Sequence, residues 1–159
     1  MIPLELLDTA PLPDGGELRL MQRGQDFMIL FGRNELMSSR LRGSEEALAT
    51  LSCERICDRP KPKILIGGLG MGFTLRQAIK ELPPQAGIVV GELVPKIVAW
   101  AKGPLAHLFG DCLDDPRVDV QIEDIHALIT EADGDYDAIL LDVDNGPDGL
   151  IRSEERRVG

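Results

Sequence analysis

The run Gly67-Gly68-Leu69-Gly70-Met71-Gly72-Phe73 follows the apolar residues Ile64-Leu65-Ile66 and precedes a stretch with helical spacing. Glycines between a strand and a helix let the backbone turn sharply and approach a ligand closely. The free N–H groups of the helix that follows face an electronegative ligand. The spacing of Gly68, Gly70 and Gly72 is G-x-G-x-G. A dinucleotide fingerprint needs Gly or Ala where Phe73 stands, and a P-loop needs a lysine before Thr74. Both of those ligand classes are therefore disfavoured, and the turn reads as a binding turn of another kind, with a purely structural tight turn as the alternative.

Acidic residues recur at the ends of the apolar runs that follow. Glu92 closes Ile88-Val89-Val90-Gly91, about 20 residues past the glycines, where a carboxylate can accept hydrogen bonds from both hydroxyls of a ribose. Glu123-Asp124-Ile125 closes Val118 to Ile122. Asp124 either caps the next helix or accepts the exocyclic amine of an adenine, with Ile125 packing on the ring. Asp142-Val143-Asp144-Asn145-Gly146-Pro147-Asp148 follows Ala138-Ile139-Leu140-Leu141. Asp142 and Asp144 there could hold a cationic amine and take a proton from it, although the same composition suits a plain turn.

The remaining reactive side chains point to nothing specific. Cys53, Cys57 and Cys112 are too few for a disulfide framework, and the i,i+4 pair reads as reduced thiols on a helix. His107 and His126 have no partner motif, so no metal site is expected. Trp100 reads as a core or snorkelling helix residue.

The elements that must position these residues alternate. From Lys63 onward strand and helix follow one another: Lys63–Ile66, a helix over Thr74–Leu82, Ile88–Val90, a helix from Pro95 broken at Gly103-Pro104, Val118–Ile122, a helix over Asp124–Glu131, and Ala138–Leu141. That order predicts an α/β fold with a parallel sheet, and the near-continuous apolar strands predict helices on both of its faces. Before it lie a loose lead-in over 1–16 and a small β-rich segment plus helix over 17–58. In that segment Glu17–Gln22 and Asp26–Phe31 form a hairpin around Arg23-Gly24-Gln25, and Ser44 caps a helix. Arg59-Pro60-Lys61-Pro62 is a rigid linker to the domain over 63–151. The polar run 152–159 translates a nucleotide sequence that resembles a common short-read sequencing adapter, so the native reading is expected to end at Ile151, with a genuine polar terminus as the alternative. A sheet of this length is then the first half of a larger one. Its exposed apolar edge predicts aggregation or a homodimer.

The 159 residues bound one ordinary domain with an appendage, and 43% hydrophobic with 28% charged residues is a globular composition. Only 4% is aromatic, so the core must be aliphatic. A net charge of −10 without a basic patch repels phosphate backbones and argues against a nucleic-acid partner. No apolar run approaches a membrane span, and Met1-Ile2-Pro3-Leu4-Glu5 has no secretory pattern. The expected location is the cytoplasm, with no membrane partner.

Taken together, Ile64-Leu-Ile-Gly-Gly-Leu-Gly-Met-Gly72, Val90-Gly-Glu92-Leu-Val-Pro95, Asp124 and Tyr136-Asp-Ala-Ile-Leu-Leu-Asp142 resemble the Rossmann-like S-adenosylmethionine-dependent transferases. The pattern is most similar to the spermidine synthase (polyamine aminopropyltransferase) family. The resemblance covers most of 17–150. It implies a Rossmann-like, class I methyltransferase-like sheet, incomplete here, with a β-rich segment before it. It also implies decarboxylated S-adenosylmethionine or S-adenosylmethionine as co-substrate, no metal, and a small amine as acceptor. The glycine turn would pass the methionine part, Glu92 would bind the ribose and Asp124 the adenine amine. Asp142 would lie by the transferred group, and Glu45 would help to hold the polyamine. Two departures bear on the chemistry. The family's glycine turn usually carries an aspartate where Gly70 stands, and its second acid after the fourth strand is Asn145 here, with Asp144 the nearest substitute. Aminopropyl transfer is thus the first expectation, methyl transfer the alternative, and a non-catalytic nucleoside-binding piece the third.

Overall fold

The computed structural model describes residues 1–141, which divide after Leu41 into two units. Asp142, Asp144 and the segment 152–159 lie outside the described residues.

The first unit is an antiparallel meander, β1 (Glu5–Pro11), β2 (Glu17–Arg23), β3 (Asp26–Phe31) and β4 (Asn34–Ser38), paired in chain order. Period-two alternation turns Leu18, Leu20, Phe27 and Ile29 inward, and the register opposes Leu20 to Ile29 and Leu18 to Phe31. Arg23 pairs with Asp26 across a two-residue turn whose Gly24 has φ 61°, the left-handed conformation that such tight hairpins need. The hairpin expected from the sequence is present. The lead-in is not loose as expected, because Glu5–Pro11 pairs with β2 along its length despite its proline and two acids. Pro11 ends that strand, where a missing N–H is tolerated.

The second unit begins with α1 (Gly43–Glu54), which the proline-rich stretch at 59–62 had suggested would go with the preceding strands. It runs alongside α2 (Phe73–Glu81), with the Thr74 hydroxyl donating to the Glu45 carbonyl at 3.5 Å and the Thr50 hydroxyl to Glu81 Oε1 at 3.3 Å. Ser44 does not cap α1. It lies inside the first turn, and its hydroxyl bonds Glu45 Oε2 instead.

Then follow β5 (Lys63–Gly67), α2, β6 (Gly87–Gly91), α3 (Pro95–Lys102), α4 (Ala106–Phe109), a 3₁₀ turn at Cys112–Asp114, β7 (Val118–Gln121), α5 (Ile125–Glu131) and β8 (Ala138–Leu141). The strands form one parallel sheet in the order β7-β6-β5-β8. The chain steps outward from β5 to β7 and then crosses to the other side of β5. This reversal leaves the carboxyl ends of β5 and β8 side by side, with Gly67 opposite Leu141. Ile64, Leu65, Ile66, Ile88, Val90 and Leu140 are buried in the sheet, and Leu75, Ile97, Trp100, Leu105 and Phe109 are buried on the helical segments. Trp100 is a core residue. Among the described residues no helix is long and apolar enough to cross a membrane.

Arg117 ties the sheet to the end of α2. Its guanidinium donates to the carbonyls of Ile79 at 3.1 Å, Leu82 at 2.9 Å and Pro83 at 3.3 Å, and grips both oxygens of Asp115. The Ile79 carbonyl belongs to the last turn of α2 and the Leu82 carbonyl to its C-cap, so the arginine meets acceptors that the ended helix leaves without a further turn. The Arg117 guanidinium in turn holds the Asp115 carboxyl below its ordinary range. Arg117→Ala should lower the unfolding free energy by about 1–3 kcal/mol, the cost of stranded acceptors and lost charge-assisted bonds, measured by urea denaturation.

Candidate functional site

The glycine turn joins β5 to α2. Gly68, Gly70 and Gly72 have φ of 97°, 53° and 84°, so each occupies a conformation that a side chain disfavours. The turn is closed by its own hydrogen bond, Gly72 N–H to Leu69 O at 2.9 Å, and joined to the next strand by Gly68 N–H to Gly91 O at 2.8 Å. Leu69, Met71, Gly72 and Phe73 are buried, while Gly68 and Gly70 remain partly exposed. The surface offered to a ligand is therefore the backbone of Gly68 and Gly70. Gly72 instead faces the Phe109 ring, where an added Cβ would lie 2.5 Å from Cε2.

Glu92 lies beside this turn, at the end of β6. Only 6% of it is exposed. Its Oε1 accepts from the Leu69 N–H at 2.9 Å and its Oε2 from the Val94 N–H at 3.0 Å. The backbone of the same residue continues the sheet, donating to Gln121 O at 2.9 Å and accepting from Glu123 N–H at 3.1 Å. Removal from water is the largest influence on its carboxyl and raises the pKa, against the opposite pull of the Val94, Leu69, Gly70 and Leu93 amides.

Asp124 caps α5, its Oδ1 accepting from the His126 N–H at 3.0 Å. The cap sets the first turn of α5 over the strand ends. Ile125 rests there: an added Cβ on Gly67 would lie 3.0 Å from its Cγ1, and one on Gly91 would lie 2.6 Å from Leu128 Cδ1. Ile125 and Tyr136 also pack against the buried cluster of Leu65, Val89 and Leu128. Gly91 and Gly67 thus shape the site by letting α5 approach, and Phe109 supports the glycine turn from below. The sequence reading singled out none of these three for such a role. A glycine closing an apolar strand was the available signal for the first two, and Phe109 carried none.

The glycine turn, Glu92 and the Asp124-Ile125 corner are thus gathered at the carboxyl ends of β5, β6 and β7. Burial pushes the Cys53 thiol up to about 11, which suits an inert core thiol. Among the described residues no cluster of His, Cys, Asp and Glu is placed to hold a metal ion.

An N-terminal antiparallel sheet followed by a parallel Rossmann-like sheet with its glycine turn after the first parallel strand defines the spermidine-synthase-like fold. The spermidine synthase of Thermotoga maritima superposes with a TM-score of 0.72 at 18% identity, over 91% of this chain and 49% of that one. A spermidine synthase in complex with the transition-state analogue AdoDATO gives 0.71 at 17% identity, over 86% and 47%. In sequence, the polyamine aminopropyltransferase of Bacillus subtilis is 33% identical over 84 residues, 52% of this chain and 30% of that protein. The polyamine aminopropyltransferase 2 of Pseudomonas aeruginosa is 31% identical over 94 residues, 57% of this chain and 26% of that protein. No family model matches the chain. The chain thus has the spermidine-synthase-like fold and is similar in sequence to polyamine aminopropyltransferases over about half of its length. It spans about half the length of the solved structures it matches, and the matching segment is under a third of the curated relatives.

Two outcomes follow from this geometry. Gly72→Ala, strained in φ and pressed on Phe109, should cost about 1–3 kcal/mol of stability in urea denaturation. Because the folded chain holds the Glu92 proton more tightly than the unfolded chain, this group's contribution to stability is complete below the ordinary glutamate range. It declines as pH rises from that range through the raised folded value. The difference in unfolding free energy between wild type and Glu92→Gln, followed from about pH 4 to about pH 8, should fall accordingly. A difference that rises instead would mean that the amide bonds outweigh burial.

Proposed function

We propose that the chain binds an S-adenosylmethionine-type nucleoside and belongs to a transferase that moves an alkyl group, in the first instance aminopropyl, to a small amine. The observation that carries this reading is the partly exposed Gly68 and Gly70 backbone, in left-handed conformations beside Glu92, in a chain whose curated relatives are named polyamine aminopropyltransferases. A backbone without side chains gives the methionine-derived portion close approach. Glu92 would accept from the ribose hydroxyls, Asp124 from the adenine amine, and Ile125 would pack on the ring. The decarboxylated co-substrate is the one matched to aminopropyl transfer. It supplies a carbon activated by an adjacent sulfonium.

The protein's part in such a reaction is alignment and proton handling. The acceptor amine must be desolvated and neutral so that its lone pair forms the new C–N bond as the C–S pair leaves with sulfur. Asp142, with Asp144 as the nearest second acid, is the proposed acceptor of the amine proton. No metal is required for these steps.

Gly70 favours a second reading. The aspartate usual at that position in the resembling family would repel a carboxylate, whereas glycine admits one. Methyl transfer from S-adenosylmethionine itself is then the alternative, and nucleoside binding without catalysis the third. Titration calorimetry with both nucleosides separates them. Tighter binding of decarboxylated S-adenosylmethionine is the expected result, tighter binding of the carboxylated form would move the assignment to methyl transfer, and no heat with either would remove the nucleoside site.

A further inference from the structure

Glu92 is the one buried ionisable carboxylate among the described residues, and each of its two oxygens already accepts a hydrogen bond inside the protein. Its two oxygens accept from Leu69 at 2.9 Å and Val94 at 3.0 Å, and the nearby amides of Gly70 and Leu93 also favour its charged form. A carboxylate offers about four lone-pair positions. The donors come from two separate segments: Leu69 and Gly70 belong to the glycine turn, Leu93 and Val94 to the connection between β6 and α3.

The glycine turn needs such a tie. Its repeated left-handed residues are those that lose most conformational freedom on ordering. Within the turn it is closed by a single bond, Gly72 N–H to Leu69 O, and the Gly68 N–H to Gly91 O bond anchors only its first residue to β6. Leu69, the residue whose carbonyl closes the turn, is also the one whose N–H is held by Glu92. We propose that Glu92 is a positioning residue, a latch that holds the glycine turn in its binding shape before any ligand arrives, acting through the Leu69 and Gly70 amides. Its consequence for ligand binding rests on the nucleoside reading above. Ribose hydroxyls would meet a carboxylate already loaded with donors and would bind by trading places with the turn's amides, so that ribose recognition and turn geometry change together.

The latch is testable on the protein alone. Amide hydrogen exchange followed by NMR should show Leu69 and Gly70 exchanging at least tenfold faster in Glu92→Gln, with Ile66 and Val89 in the neighbouring strands unchanged. In the unmodified protein, a scalar coupling across the hydrogen bond from the Leu69 amide nitrogen to the Glu92 carboxyl carbon should be measurable, and this decides the matter if the variant does not fold. Unaltered protection at Leu69 and Gly70, protection lost equally across β5 and β6 in a folded variant, or absence of the coupling would each overturn the latch. No nucleoside is present in either measurement, so failure of the latch and failure of the nucleoside assignment are separate results.

Discussion

A carboxylate taken out of water costs several kcal/mol unless its oxygens are met by donors, and at Glu92 the donors are all backbone. That requirement fixes more than one residue. The amides of the glycine turn and of the β6–α3 connection must both be within reach, so the two segments are set relative to each other by a single side chain. The main chain of the same residue bonds Gln121 and Glu123 next to β7. The carboxyl ends of β5, β6 and β7 are therefore stitched together around position 92, and the candidate site is the surface above that seam.

The second constraint is steric. Gly67 and Gly91 end adjacent strands, and the absence of Cβ at both lets Ile125 and Leu128 settle onto the strand ends. Gly72 does the same for Phe109 on the other side of the turn. Part of the glycine signature thus serves packing between the chain's own elements, and only Gly68 and Gly70 keep backbone partly exposed. A fold shared with spermidine synthases at 18% identity is intelligible on these terms. The constraints fall on glycines, one acid and apolar strand residues, and leave most other positions open.

Much of this was legible in the sequence because it depends on local spacing. Apolar runs of four or five residues separated by helical stretches imply a parallel sheet. Glycines between Ile66 and Phe73 imply a turn from strand to helix, and a cap, which the structure contains, was one of the two roles open to Asp124 ahead of an apolar helix. Where a local rule and a long-range contact competed, the contact won. Pro11 and Asp8 made the N-terminus look loose, yet β2 offered it a partner along its length. Ser44 had the right chemistry for a cap, but the helix begins one residue earlier and its hydroxyl turned to Glu45.

The sequence by itself determined the class of fold, the alternation of strand and helix from Lys63 onward and the place of the glycine turn, because these follow from the period of apolar residues and the conformational range of glycine. Only the tertiary structure decided what Glu92 holds, which glycines face outward, and that Phe109 and Ile125 frame the turn and the strand ends. Those are contacts between residues 23 to 58 positions apart in the chain, such as Glu92 with Leu69 and Ile125 with Gly67, and no spacing rule within a single element reaches that far.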